Sequence, residues 1–173
     1  MRFLENLFPS VCWVSLLFWA CASDSSWENP EDILTSIHEN GAFQTVAQMT
    51  QGKRTAWETM LIQIENGDAQ WLDVARELRA GTDAVTTIEL RFAVARALPI
   101  SPQEVLNLID RGFQVEEICV IPFVEADRAV EVDYLKRTKE ALMRVSATKN
   151  DAARLYCLGF VERHLALYQG NKL

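Results

Sequence analysis

Six carboxylates gathered between residues 116 and 133 are the densest group of chemistry-bearing side chains: Glu116, Glu117, Glu125, Asp127, Glu131 and Asp133. Paired carboxylates can protonate and attack a glycosidic bond, and cell-wall polysaccharide would be the substrate of an exported enzyme. The ordinary reading is that acids gather at helix starts, where the dipole favours them. Their spacing is not that of a calcium-binding loop. Too few basic residues stand near them before Arg128 to neutralise them, so the segment is expected to project negative potential towards a basic protein partner.

Histidine chemistry has little material. His38 falls in a helix last turn, where a cation suits the dipole, and its His38-Glu39-Asn40-Gly41 context is not a zinc motif. His164 stands between Arg163 and Leu165 on what reads as a solvated helix side. G-x-S-x-G, phosphate-loop and dinucleotide patterns do not occur. No cofactor or metal is therefore expected, and no catalytic residue is assigned. Trp57 and Trp71 would suit an interaction face, but at helical spacing they read as core.

The four cysteines divide by position. Cys12 and Cys21 lie in the apolar N-terminal region, Cys119 and Cys157 in the body. Removal or lipidation of the first two leaves an even pair, and in an oxidising compartment that predicts a Cys119–Cys157 disulfide. Two unrelated buried thiols are the alternative.

Compartment follows from residues 1–22. Arg2 precedes an apolar run from Val11 to Ala22. Twelve helical residues rise only about 18 Å, short of the ~30 Å of a bilayer core, and Ser23-Asp24-Ser25-Ser26 follows at once. The pattern is that of an export signal. Two cleavage readings stand. Cys21 as the lipidated first residue of a lipoprotein is favoured, with residues 23–29 as a polar tether. Ala20-Cys21-Ala22 as a simple A-x-A site is the other. Periplasm or cell envelope is the expected location, with contact to a membrane only through a lipid anchor.

The 173 residues have room for one domain, expected over 30–170, and 49% are apolar. About 150 residues bury roughly two thirds of the surface that the unfolded chain exposes, enough for an independent core. Formal charge is −7, which repels phosphate backbones and argues against nucleic acid.

Punctuation within that domain is helical. Asn29-Pro30-Glu31-Asp32 opens a first helix that stops near Gly41, and a second short piece runs from Ala42 to Thr50. Thr55…Glu58, Thr86…Glu89 and Ser101…Glu104 each match a capping box. Gly67, Gly81 and Gly112 are read as C-terminal caps, and Pro99 closes the helix that carries Leu90 to Ala97. Trp57, Met60, Leu61 and Ile64 precede Gly67 as Trp71, Val74, Ala75 and Leu78 precede Gly81, which predicts a helical hairpin rather than a repeat array. A longer pair follows, with Val130, Tyr134, Leu135, Ala141, Leu142 and Val145 on one stripe. Leu155, Tyr156, Phe160 and Leu165 form the other, and Lys149-Asn150-Asp151 is the turn. Only Ile118 to Val124 reads as briefly extended. The expected fold is all-α, a compact bundle of about six to eight short helices in antiparallel pairs with one disulfide.

Three stretches carry a resemblance: G-T-D-A-V-T-T-I-E-L-R-F-A-V-A-R-A-L-P at 81–99, S-P-Q-E-V-L-N-L-I at 101–109 and I-C-V-I-P-F-V-E at 118–125. Across residues 55–165 the chain resembles small exported helical proteins of Gram-negative bacteria. The resemblance implies periplasmic residence and pairing of Cys119 with a late cysteine. It implies no catalytic residue.

The functional expectation is a non-enzymatic envelope protein that acts by binding another protein, in one version an inhibitor or immunity-type neutraliser of a toxin or lytic enzyme. A structural or assembly lipoprotein of a secretion or envelope machine is the second class. A cell-wall enzyme is the third.

Overall fold

The computed structural model describes residues 27–52, 54–146 and 150–170. The expected export signal, Cys21 and most of the expected tether lie outside the described residues, as does Lys149. Among the described residues there are nine α-helices, one 3-10 turn and no strand, so the fold is all-α. The helix number exceeds the expected six to eight because two very short pieces stand between the longer ones.

The first four helices build one side of the main core. α1 (Pro30–Asn40) starts where the sequence asks: Asn29 Oδ1 accepts from the Asp32 amide at 3.1 Å, with proline in the first turn. Gly41, at φ +85°, separates it from α2 (Ala42–Thr50). α3 (Thr55–Glu65) and α4 (Ala69–Leu78) form the predicted hairpin, turning through Gly67 at φ +74° into Asp68, whose carboxylate caps α4. Trp57, Met60, Ile64, Val74, Ala75 and Leu78 are all buried, so the two matching stripes do face inward together. Trp27 already packs against this core, three residues before the first helix.

A 3-10 turn (Arg79–Gly81) leads into α5 (Ala84–Ala97), followed by the short α6 (Pro102–Leu106) and α7 (Val115–Ile118). The cap readings shift here. Asp83, not Thr86, caps α5, accepting from the Val85 and Thr86 amides at 3.0 and 2.9 Å while Thr86 Oγ1 answers the Asp83 amide. The capping box is real but begins three residues earlier, because an ionised carboxylate accepts more strongly than a hydroxyl. Donation from the Thr86 amide and hydroxyl holds the Asp83 carboxyl below its ordinary 3.8. The stability it lends is therefore complete above that ordinary value and fades only as pH falls through the lowered one.

At α3 the cap is Arg54, in the left-handed conformation, so Thr55 is already helical and forms no box. Ser101 does occupy the N-cap of α6, without a side-chain cap bond. Glu89, freed from capping, accepts from Trp57 Nε1 at 2.8 Å and Arg54 Nη2 at 2.5 Å, tying α3 to α5.

Two of the three glycines read as caps have other work. Gly112, at φ +117°, makes the tight turn between Ile109 and Phe113. Gly81 is there for close approach: a Cβ would fall on the backbone of Ala42 and Phe43 at the start of α2. Backbone cannot give as a flexible side chain can. Gly81→Ala should therefore cost roughly 1–3 kcal/mol or more, read as a lower urea midpoint with unchanged m-value.

The two longest helices close the fold. α8 (Arg128–Arg144) and α9 (Asp151–Gly170) run antiparallel, as Lys139–Glu162 at 2.9 Å and Arg128 against Tyr168 show. Asn150 ties their turn to the carbonyl of Leu106 at 3.1 Å. On α8, Tyr134, Leu135, Ala141 and Leu142 are buried as expected, joined by Thr138, while Val130 is exposed. On α9 the expected stripe holds in part: Phe160 and Leu165 pack half-buried against Tyr134, Leu135 and Val161, while Cys157 and Val161 are the buried pair and Leu155 and Tyr156 are exposed. Cys157 is joined to Cys119, which sets the rotation of the helix, and positions 155 and 156 lie about 200° and 100° around from it.

Candidate protein-interaction site

The link from α7 to α8 brings the disulfide, the acids and an exposed apolar residue into one place. Cys119 caps the end of α7, its amide donating to the Val115 carbonyl at 2.9 Å, and its sulfur joins Cys157 of α9. Ile118 to Val124 pair with no strand. Pro122 is buried, and its carbonyl accepts from Arg96 Nε at 3.0 Å. The same Arg96 reaches Glu65 at 2.6 Å and lies over the Phe123 ring at 5.6 Å. Phe123 meets Tyr134 edge-on at 5.4 Å, and the buried Tyr134 hydroxyl donates to the Ala95 carbonyl at 2.9 Å. Burial raises the Tyr134 phenol far above its ordinary value, so it stays neutral.

Beyond Phe123 the chain turns outward. Val124 is 76% exposed, the most exposed of the large apolar side chains described. Glu125 holds a left-handed backbone at φ +55°, a conformation that costs a non-glycine residue roughly 1–2 kcal/mol and persists only where its surroundings impose it. Asp127 stands at the N-cap of α8 without capping it. The result is an apolar and acidic tip on a strut held by a covalent bridge, an arginine and an aromatic pair. Binding residues commonly stand on loops positioned by a rigid scaffold.

The six sequence-selected carboxylates do not act as one patch. Glu117 is tied down, accepting from Arg79 Nη2 at 2.8 Å and from the Gln114 amide at 3.0 Å. Asp133 pairs with Arg137 at 2.9 Å. Glu131 accepts from the Tyr168 hydroxyl, and that bond raises the Tyr168 phenol. Glu116, Glu125 and Asp127 are exposed and make no ion pair among the described residues. Sequence proximity missed the neutralising role of Arg79, which arrives from 38 residues away.

Elsewhere the chemistry is sparse. His38 is exposed, and His164 is half-buried with Nδ1 2.8 Å from the Phe160 carbonyl. Among the described residues no three His, Cys, Asp or Glu stand together as a metal site, and no helix is long and apolar enough to cross a membrane. A groove of about 470 Å³ lies between Pro99, Ile100 and Arg144, and one of about 250 Å³ between Val132, Lys136 and Leu165. Neither gathers acid, base and nucleophile. No protein-family model matches the chain, and no match is found among curated proteins or solved structures.

Proposed function

We propose that this chain is an exported, envelope-located helical protein that works by binding another protein, with the Cys119–Asp127 loop as its contact surface. The observation that carries the reading is the pinned loop itself. An apolar side chain, Val124, stands 76% exposed beside two carboxylates, Glu125 and Asp127, that the fold leaves unpaired. The two unpaired carboxylates give this exposed loop a negative sign that suits a basic partner. The bridge supports an oxidising compartment, and the apolar N-terminal run supports export. An inhibitor or immunity-type neutraliser is the concrete version: a small acidic protein whose partner meets it outside the cytoplasm.

Charge reversal tests the surface. E125K together with D127K should slow association with the partner about tenfold or more at low salt and leave the far-UV spectrum unchanged, since both residues are exposed. Raising the salt should slow the native protein in the same way, as screening shortens the field to about 8–10 Å. Unchanged rates would remove this loop from the mechanism. Location is tested by fractionation. The protein should follow the cell envelope, and Cys21→Ser should release it or block its maturation. Intact Met1 in cytosolic protein would end the export reading.

A further inference from the structure

We infer that the Cys119–Cys157 bridge gates the loop by compartment: the contact surface takes shape only once the two thiols have been oxidised. The inference rests on the reading of the loop as contact surface and adds its regulation. Two packing units underlie it. In the main core all buried members except Ile118, Cys119, Leu142 and Cys157 come from residues 33–113. A second, small cluster consists of Tyr134, Leu135 and Val161, with Ile121, Phe123, Phe160, Leu165 and Tyr168 half-buried around it. The inner residues of the loop, Ile121 and Phe123, therefore depend on the small cluster and on α9.

α9 packs mainly on α8 and buries few of its side chains fully. Of its 20 residues only Cys157 and Val161 are buried, and one of these is the bridge. Without the bond, the loop keeps the Arg96 contact to Pro122 and the edge of Tyr134, while α9 keeps its packing on α8 and the half-buried Ala153 and Leu158 against the main core. Units that bury few apolar groups open at much lower free energy than the global core. The main core, which holds both cysteines, keeps twenty buried apolar side chains from residues 33–113 without the bond.

The chemistry is dithiol–disulfide exchange with a disulfide carrier. The thiolate of one cysteine attacks the carrier's disulfide and releases one carrier thiolate. The second cysteine thiolate then attacks the mixed disulfide and releases the other, so two electrons and two protons leave the chain and the carrier becomes a dithiol. Cys119 and Cys157 are 3% and 0% exposed, so in the finished fold a reductant meets no sulfur until α9 opens. The gate closes behind the protein as it leaves a reducing compartment.

Hydrogen exchange read by mass spectrometry tests this on the whole chain, reduced by dithiothreitol and then oxidised with oxidised glutathione. In the reduced state residues 115–123 and 151–170 should exchange at least about 100-fold faster than residues 30–97, whose protection falls only by the bridge's share of the global stability. Oxidised glutathione should restore protection in the native sequence and not in the C119A/C157A variant. Equal protection of the loop in both redox states overturns the gate, and so does a loss of protection across residues 30–97 as large as that of the loop. Binding unaffected by E125K/D127K would instead overturn the loop reading, a separate result that needs a partner where the exchange experiment needs none.

Discussion

Trp57→Ala should lower the free energy of unfolding by about 3–5 kcal/mol, the range for deleting a large, fully buried aromatic side chain. Trp57 is 0% exposed on α3, in the core that α2 and α5 share with it. Its loss leaves a cavity that neighbouring helices cannot close without moving backbone. The bond from Nε1 to Glu89 contributes less, because Glu89 is about one-third exposed and keeps Arg54. Two companions separate the terms in urea titrations. Trp57→Phe retains most of the volume and should cost clearly less than Trp57→Ala, while Glu89→Gln should cost about 1 kcal/mol or less. A loss from Glu89→Gln as large as that from Trp57→Ala would place the stability in the polar pair rather than in packing.

Removing the bridge should cost about 2–5 kcal/mol. The two cysteines are 38 residues apart, and closing a loop of that length is worth roughly 4 kcal/mol in the chain-entropy account. Cys157→Ala also removes one of the two buried side chains of α9. The C119A/C157A variant, which leaves no free thiol behind at either position, should unfold at lower denaturant and with a steeper m-value, because its unfolded chain is no longer cross-linked and exposes more surface. Alkylation of Cys119 and Cys157 in unreduced, unfolded protein would show that no bridge exists.

Local rules carried much of this fold. Asn29-Pro30 and Gly41 mark α1 because cap chemistry is local, and the Trp57 and Trp71 stripes face inward because each helix needs one buried side. The failures are equally physical. Thr86 lost its cap position to Asp83 because two acceptors competed within one turn. On α9 Phe160 and Leu165 pack as the stripe predicts, while Leu155 and Tyr156 turn outward because Cys157, bonded to Cys119, takes the buried side of the first turns. Gly81 looked like a cap because sequence does not display a helix start crossing above it.

The candidate site was half legible. Its acids were visible, but Arg79 and Arg137 neutralise two of them, one from a distant turn and one from the next turn of α8. Val124 was hidden inside the apolar run Ile118–Val124, whose members look alike in sequence. Only the anchoring of Pro122 by Arg96 and of Phe123 by Tyr134 separates the buried ones from the exposed tip.

The most direct test is photo-cross-linking in living cells from a photoreactive side chain placed at Val124, with Glu39 on α1 as an exposed control. Contact through the loop predicts one discrete protein adduct from position 124, weakened by E125K/D127K, and none from position 39. No adduct from position 124, or the same adducts from both positions, would contradict it.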